Sequence, residues 1–328
     1  MPAITSAAIA RLCARTVAKT AKGRDDAAAA KAAAKAHAAA ARQAATDAER
    51  AEKLAGLPPA AALRTLIATS KDFPRRNYDR HYRPDPLPPS GWLLPTLLGT
   101  DDLLYRRWDY WTRTRLAGHV LDEPIPPIYF ADSGAPTIHG PGFTDGLGAS
   151  PARKMLEVAL DSIPDHGAWK TWGSATYMNY LLDWLLYGFG DLKEPPREPS
   201  TNSFGRLYQT FCLEAMLAWP YDYFGYFLSE ASFGRSAGFF PTPHNVCEMM
   251  VRMQMGIDEN FKARLSETVC DPCVGTGRML LHASNHSLRL YGTDIMHTCV
   301  SATRVNLWLY APWGARPFGF FDRPDGAV

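Results

Sequence analysis

The spacing of apolar residues divides the chain into a helical part and a C-terminal part in which strands and helices alternate. Between residues 150 and 230 the apolar positions recur at the spacing of a buried helix face. From Thr268 the pattern changes to a short β-prone run, a glycine-rich turn and a helical stretch. A second β-prone run at Leu288 to Gly292 and a helix from Thr298 to Tyr310 follow. This alternation predicts an α/β arrangement near the C-terminus.

The N-terminal part has a different pattern, because alanine fills most positions between residues 27 and 45. Alanine has the highest intrinsic helix propensity, so we expect one long helix over residues 5–55. Basic residues outnumber acidic ones in this segment. Two interpretations remain open: a solvated helical arm, or an arm that forms a coiled coil or tracks phosphates.

Residues 72–147 are rich in proline, and arginines alternate there with aromatic residues. Because proline lacks a backbone donor, we expect regular structure in this segment to be short. Arginines between aromatic rings are suited to clamping a nucleic-acid strand. The same mixture also holds irregular segments onto a helical core, and we favour this packing interpretation.

Composition narrows the class of protein. The 328 residues are 46% hydrophobic and carry a net charge of +2, which is typical of a globular protein and too small to mark the whole chain as a nucleic-acid binder. No apolar stretch reaches the length of a membrane span. The six cysteines are scattered and no secretory leader precedes them, so we expect a cytoplasmic protein without disulfides.

The candidate chemistry lies in the C-terminal strand, turn and helix. Asp271 opens the sequence Asp-Pro-x-x-Gly-x-Gly, in which Gly275 and Gly277 let the backbone approach a ligand at the start of the next helix. The second β-prone run leads to Asp294, where a carboxylate is placed to accept both hydroxyls of a ribose. A lone Gly-x-Gly turn is explained equally well by a tight connection. The turn and the acid together indicate a nucleotide-like ligand.

These motifs resemble the gamma-type adenine-specific (N6) DNA methyltransferases, most closely the modification subunits of type I restriction-modification systems, over residues 205–322. Gly238 to Pro243 resembles the Phe-x-Thr-Pro element of that family, with Pro241 out of pattern. Tyr221 to Glu230 resembles the helix that leads into this element. The helix that contains Asn306 resembles the one that follows the ribose-binding acid.

The resemblance implies that the chain binds S-adenosylmethionine and acts on DNA. It places Phe240, Thr242 and Pro243 at the methionine end of the cofactor and Asp271, Gly275 and Gly277 in the loop. It places Asp294 at the ribose and Asp322 near the adenine ring.

In the resembled family a Pro-Pro-aromatic motif after the fourth strand holds the target adenine, and this sequence reaches Val328 before such a motif. The strand order 3-2-1-4-5 of that fold would also leave the first strand with an open edge. We therefore expect no methyl transfer by this chain alone. We expect a second protein chain, or self-association, to cover the edge.

Three functions remain open on the sequence. The first is a DNA adenine-N6 methyltransferase relative, either degenerate or split between two chains. The second is a non-catalytic scaffold or sensor that uses the same fold to bind nucleic acid or a protein partner. The third is a methyltransferase that acts on RNA or protein.

The expected organisation is α/β, with a partial Rossmann-like S-adenosylmethionine-dependent methyltransferase domain at the C-terminus. A mainly helical domain and a long N-terminal Ala-rich helix precede it. The predicted segments are an Ala-rich arm (1–55), a Pro-rich Arg/aromatic irregular segment (56–149), a helical domain (150–235) and the partial cofactor-binding domain (236–328).

Cysteines and histidines near the loop raise the question of a metal. Cys270 and Cys273 form a Cys-x-x-Cys pair, but no second pair is spaced to complete a zinc site. We interpret Cys270 as a small buried apolar residue of the strand. His282, His286 and His297 are interpreted as surface or capping residues, so no metal is expected.

Overall fold

The alanine-rich segment forms the longest helix. A computed structural model describes residues 26–130, 150–165, 169–231, 234–235, 238–255 and 261–322, and its first helix, α1, is Asp26–Ala55. The predicted helix is therefore confirmed over these residues. The part of it that is predicted over residues 5–25 lies outside the described residues. The chain divides between Leu57 and Pro58 into two compact units.

Short helices make up most of the second unit. They are α2 (Pro59–Ala68), α3 (Leu94–Leu104), α4 (Arg107–Ala117), α5 (Pro151–Ser162), α6 (Thr176–Gly188), α7 (Ser203–Thr210), α8 (Leu213–Ala218), α9 (Tyr223–Glu230), α10 (His244–Met255) and α11 (Phe261–Leu265), with a 3-10 turn at Trp169–Thr171. The proline-rich segment is more helical than its prolines predict, since α3 and α4 each have 11 residues. Pro95 lies in the first turn of α3, where a missing N–H costs nothing.

Two short strands form the sheet. β1 (Thr268–Asp271) and β2 (Arg289–Gly292) are parallel, with Val269 opposite Leu290 and Cys270 opposite Tyr291. They are the only strands among the described residues. The molecule is thus a mainly helical fold with a small parallel sheet, which is consistent with part of a methyltransferase fold.

The predicted order of elements around the sheet is confirmed. α12 (Arg278–Ala283) makes the crossover from β1 to β2, and α13 (His297–Tyr310) follows β2. After α13 come α14 (Pro312–Ala315) and a 3-10 turn at Gly319–Asp322. None of the described helices combines the length and apolarity needed to cross a bilayer.

Aromatic packing joins the helices to the segment that carries the sheet. Trp184 of α6 is wholly buried and lies edge-on to Trp92, with ring centroids 5.3 Å apart. Trp108 of α4 stacks on Trp308 of α13 at 5.3 Å. Aromatic residues of the Arg-rich segment are therefore part of the core, as the packing interpretation expects.

The sheet itself is only partly covered. Val251 of α10 and Leu280 of α12 are buried in one apolar cluster with Leu290 of β2. The interpretation of Cys270 as a buried residue was wrong, because its side chain is exposed. In the part of the chain that the structure describes, β1 has a strand on one side only, and its alternate positions Thr268 and Cys270 are exposed.

Candidate functional site

The glycine-rich turn between β1 and α12 is folded against the end of β2. Gly275 N–H donates a hydrogen bond to Asp294 Oδ2 at 2.9 Å. Asp294 Oδ1 accepts the N–H of Met296 at 2.8 Å, which holds the backbone entering α13. The turn and the acid that the sequence places 19 residues apart are thus in direct contact.

Both glycines of the turn have left-handed backbone, with φ of +54° at Gly275 and +87° at Gly277. Glycine adopts these angles without strain. A Cβ at Gly277 would lie 3.0 Å from Thr303 Cγ2, so α13 presses closely on the turn. A Cβ at Gly275 would meet only the Phe239 ring, at 3.5 Å. Both polar backbone groups of Gly275 are used within the protein, since Thr303 Oγ1 donates to its carbonyl at 2.9 Å, so what the turn offers a ligand is the space beside the Gly275 Cα.

The polar groups of the turn retain capacity to bind. Asp271 Oδ1 accepts the N–H of Cys273 at 3.0 Å, and within the described residues no donor contacts Asp271 Oδ2. Each oxygen of the half-buried Asp294 has a second lone pair beyond its backbone hydrogen bond. Ile295, next to Asp294, is 102% exposed. The carboxylates can accept hydrogen bonds from hydroxyls or pair with a cation. The exposed apolar side chain can pack on a flat ring.

The segment from Phe239 to Pro243 also borders the turn, but Phe239 is the aromatic residue that faces it. Phe240, the residue chosen from the sequence, is 77% exposed. The Thr242 carbonyl accepts a hydrogen bond from Arg278 Nη1 at 3.0 Å. Pro243 leads directly into α10. The predicted methionine-end segment and the predicted loop are therefore neighbours.

Asp322 lies in a different place. It is exposed on the 3-10 turn after α14 and lines a small hollow with Leu290, Tyr291 and Phe318. The Gly275 turn does not line this hollow. A role for Asp322 near an adenine ring stays a prediction.

A buried carboxylate that the sequence pattern does not reveal lies under the turn. Asp222 is wholly buried and caps the start of α9 by accepting the Gly225 N–H at 2.9 Å. It also accepts hydrogen bonds from Thr276 Oγ1 at 2.5 Å, Arg278 Nε at 2.7 Å and Asn306 Nδ2 at 2.8 Å. An aspartate before a helix start is a capping signal, but these three partners are distant in sequence.

The Asp222–Arg278 pair keeps both charges inside the protein. Burial alone would lower the pKa of Arg278, but Asp222 and Tyr221 beside it raise the pKa, so the guanidinium stays charged. Asn306 Nδ2 donates to the Thr276 carbonyl as well, at 2.8 Å. The carboxylate therefore connects α9, the turn and α13.

Two histidines lie beside this ion pair. His244 Nδ1 and His282 Nε2 are 3.0 Å apart, and both rings are buried against Phe130. The interpretation of His282 as a surface or capping residue was wrong, since α12 turns it inward toward α10. No group of three or more metal-ligating side chains occurs in the described part of the chain.

Burial and the nearby cations Arg278 and Arg252 lower the pKa of His282 from 6.5 to about 4. Between these values the unfolded chain binds the proton and the folded chain does not, so the free energy of unfolding falls as the pH drops from 6.5 toward 4. His282→Gln should remove up to about 3 kcal/mol of this loss. Urea unfolding of both proteins at several pH values measures it. The difference between the two free energies of unfolding at pH 8 gives the cost of the substitution itself. A difference that stays constant down to pH 4.5 would contradict the prediction.

Residues 221–311 match the family model described as N-6 DNA methylase. The match covers less than a third of the chain and includes Asp222, the turn, Asp294 and Asn306. It supports an adenine DNA methyltransferase family for this segment. No curated protein and no solved structure matches the chain.

Proposed function

We propose that the chain binds S-adenosylmethionine at the turn between β1 and α12. In this proposal it serves as the cofactor-binding part of a gamma-type DNA adenine-N6 methyltransferase related to the modification subunits of type I restriction-modification systems. The observation that carries the proposal is the contact between Gly275 N–H and Asp294 Oδ2. The bound cofactor would supply a methyl group activated by a positively charged sulfur.

In this proposal, the residues of the site contact different parts of the ligand. Asp294 would accept the ribose hydroxyls, and the exposed Ile295 would pack on the adenine ring. Asp271 Oδ2 would face the ammonium of the methionine end, which Phe240, Thr242 and Pro243 would also line. Asp322 would be a further residue near the adenine ring.

Asp294→Ala should weaken binding of S-adenosylmethionine by about 1–3 kcal/mol, because it removes the charged acceptor of two hydroxyl hydrogen bonds. Calorimetric titration measures the difference. Asp109→Ala, a partly exposed acid on α4 that pairs with Arg106 and Arg113, is the matched control and should bind like the wild type. The absence of heat with the wild-type protein at millimolar cofactor would mean that the turn is only structural.

We further propose that DNA contacts the strap, which we define as residues 71–83. Arg75, Arg76 and Arg80 are exposed there. The strap backbone is fixed to α7, since Gln209 Nε2 donates to the Asp79 carbonyl at 2.9 Å and Gln209 Oε1 accepts the Asp79 N–H at 3.1 Å. Exposed guanidinium groups on a backbone that is held at Asp79 suit phosphate contacts without sequence preference.

Because both side chains are exposed, Arg75→Ala/Arg76→Ala should reduce DNA retention without lowering the melting temperature. Retention by the wild type should also fall steeply as salt rises, since phosphate contacts release counterions. A gel-shift salt series beside a thermal melt measures both effects. A lower melting temperature with unchanged retention would assign these arginines to packing.

We also propose that a further strand, from a second protein chain or a second copy of this one, pairs with the free edge of β1. Among the described residues β1 has a strand partner on one side only. An unpaired edge offers backbone donors and acceptors to another strand. Light scattering on the purified protein, alone and with candidate partners, tests this by mass.

A further inference from the structure

Two nitrogens of the Arg278 guanidinium group contact two different parts of the site. Its Nε donates to Asp222 Oδ2 at 2.7 Å, and its Nη1 donates to the Thr242 carbonyl at 3.0 Å. The residue is 7% exposed. Arg278 is also the first residue of α12 and directly follows Gly277 of the turn. It therefore joins the turn to the segment Phe239–Pro243.

The hold on Thr242 depends largely on this one side chain. Among the described residues, the only other donor to the Thr242 carbonyl is the Cys247 thiol, a weak donor, at 3.8 Å. Asp294 is held without Arg278, because its partners are the backbone N–H groups of Gly275 and Met296. The two sides of the proposed ligand site thus differ in whether Arg278 contacts them directly.

We propose that Arg278 is a positioning residue that selects for the amino-acid end of the ligand. This inference rests on the function proposed above. By fixing the Thr242 carbonyl against the turn, Arg278 pre-forms the part of the site that would meet the methionine end. The adenosine end would meet Asp294 and Ile295, and the hydrogen bonds of Asp294 do not involve Arg278. Pre-organisation of one half strengthens only ligands that carry the matching half.

The test compares two ligands in calorimetric titrations: S-adenosylmethionine, and 5′-methylthioadenosine, which lacks the amino-acid end. Arg278→Lys keeps a charge for Asp222, but arginine reaches Asp222 and Thr242 with two separate nitrogens and lysine has only one, so we expect the variant to lose the hydrogen bond to Thr242. We expect this variant to lose about tenfold in affinity for S-adenosylmethionine, the value of one hydrogen bond to a charged donor. Its affinity for 5′-methylthioadenosine should stay within about twofold of the wild type.

Arg252→Lys is the matched control, because Arg252 is an exposed residue of α10 paired with Glu248 and should change neither affinity. Equal weakening of both ligands by Arg278→Lys would overturn the inference, and so would no weakening of either. A wild-type protein that binds neither ligand would instead overturn the proposed function, and the inference with it.

Amide hydrogen exchange on the ligand-free proteins gives a second measurement that does not need binding. In Arg278→Lys, exchange should become faster over residues 239–247, while the Gly275 and Met296 amides keep wild-type rates. Unchanged exchange over residues 239–247 would show that Arg278 does not hold this segment.

Discussion

Asp222→Ala is expected to lower the free energy of unfolding by about 3–5 kcal/mol, because it leaves the buried guanidinium of Arg278 without its partner. The substitution also removes acceptors from Thr276 Oγ1, Asn306 Nδ2 and the Gly225 N–H. Unpaired buried donors add to the cost. Urea unfolding followed by tryptophan fluorescence measures the loss.

A double variant separates the buried charge from the rest of the network. In Asp222→Leu/Arg278→Met both charges are replaced by apolar groups, and such replacements are often neutral or stabilising. The double variant should therefore be more stable than Asp222→Ala by about 2 kcal/mol or more. If the double variant is no more stable than the single one, the unpaired charge is not the main cost.

Gly205→Ala should lower the free energy of unfolding by about 1–3 kcal/mol, although alanine is the better helix former. A Cβ on Gly205 of α7 would run into the Tyr82 carbonyl oxygen and would lie 3.0 Å from the Tyr82 carbonyl carbon. These atoms are backbone, so the strap and α7 must separate to make room. The same urea unfolding experiment measures the change.

Gly99→Ala is the matched control for this substitution. Gly99 is an exposed glycine of α3 with no atom within 4 Å of its added Cβ. Alanine there should raise stability by up to about 1 kcal/mol through helix propensity alone. If both substitutions stabilise the protein, the strap does not pack on α7 as the structure describes.

The elements around the site follow from local sequence. The β-prone run at Thr268, the two glycines and the helical stretch after them each follow a short-range rule, and the predicted strand and helix formed where the rules place them. The contact between Gly275 and Asp294 was also foreseeable, because parallel strands end at the same edge of a sheet.

Long-range partners were not foreseeable. Nothing near Asp222 in the sequence indicates that Arg278 and Asn306 will surround it, since tertiary packing sets those contacts. The exposure of Cys270 has a similar cause. A β-prone residue is buried only if further structure covers its face, and a local pattern does not contain that information.

The division of the chain into two compact units affects how these stabilities are measured. An alanine-rich helix outside a packed core loses its structure gradually on heating, so ellipticity at 222 nm is expected to slope before the main transition. All nine tryptophans lie beyond residue 90, and α1 contains none. Tryptophan fluorescence therefore reports the second unit alone, and the difference between the two signals gives a separate melting curve for the arm.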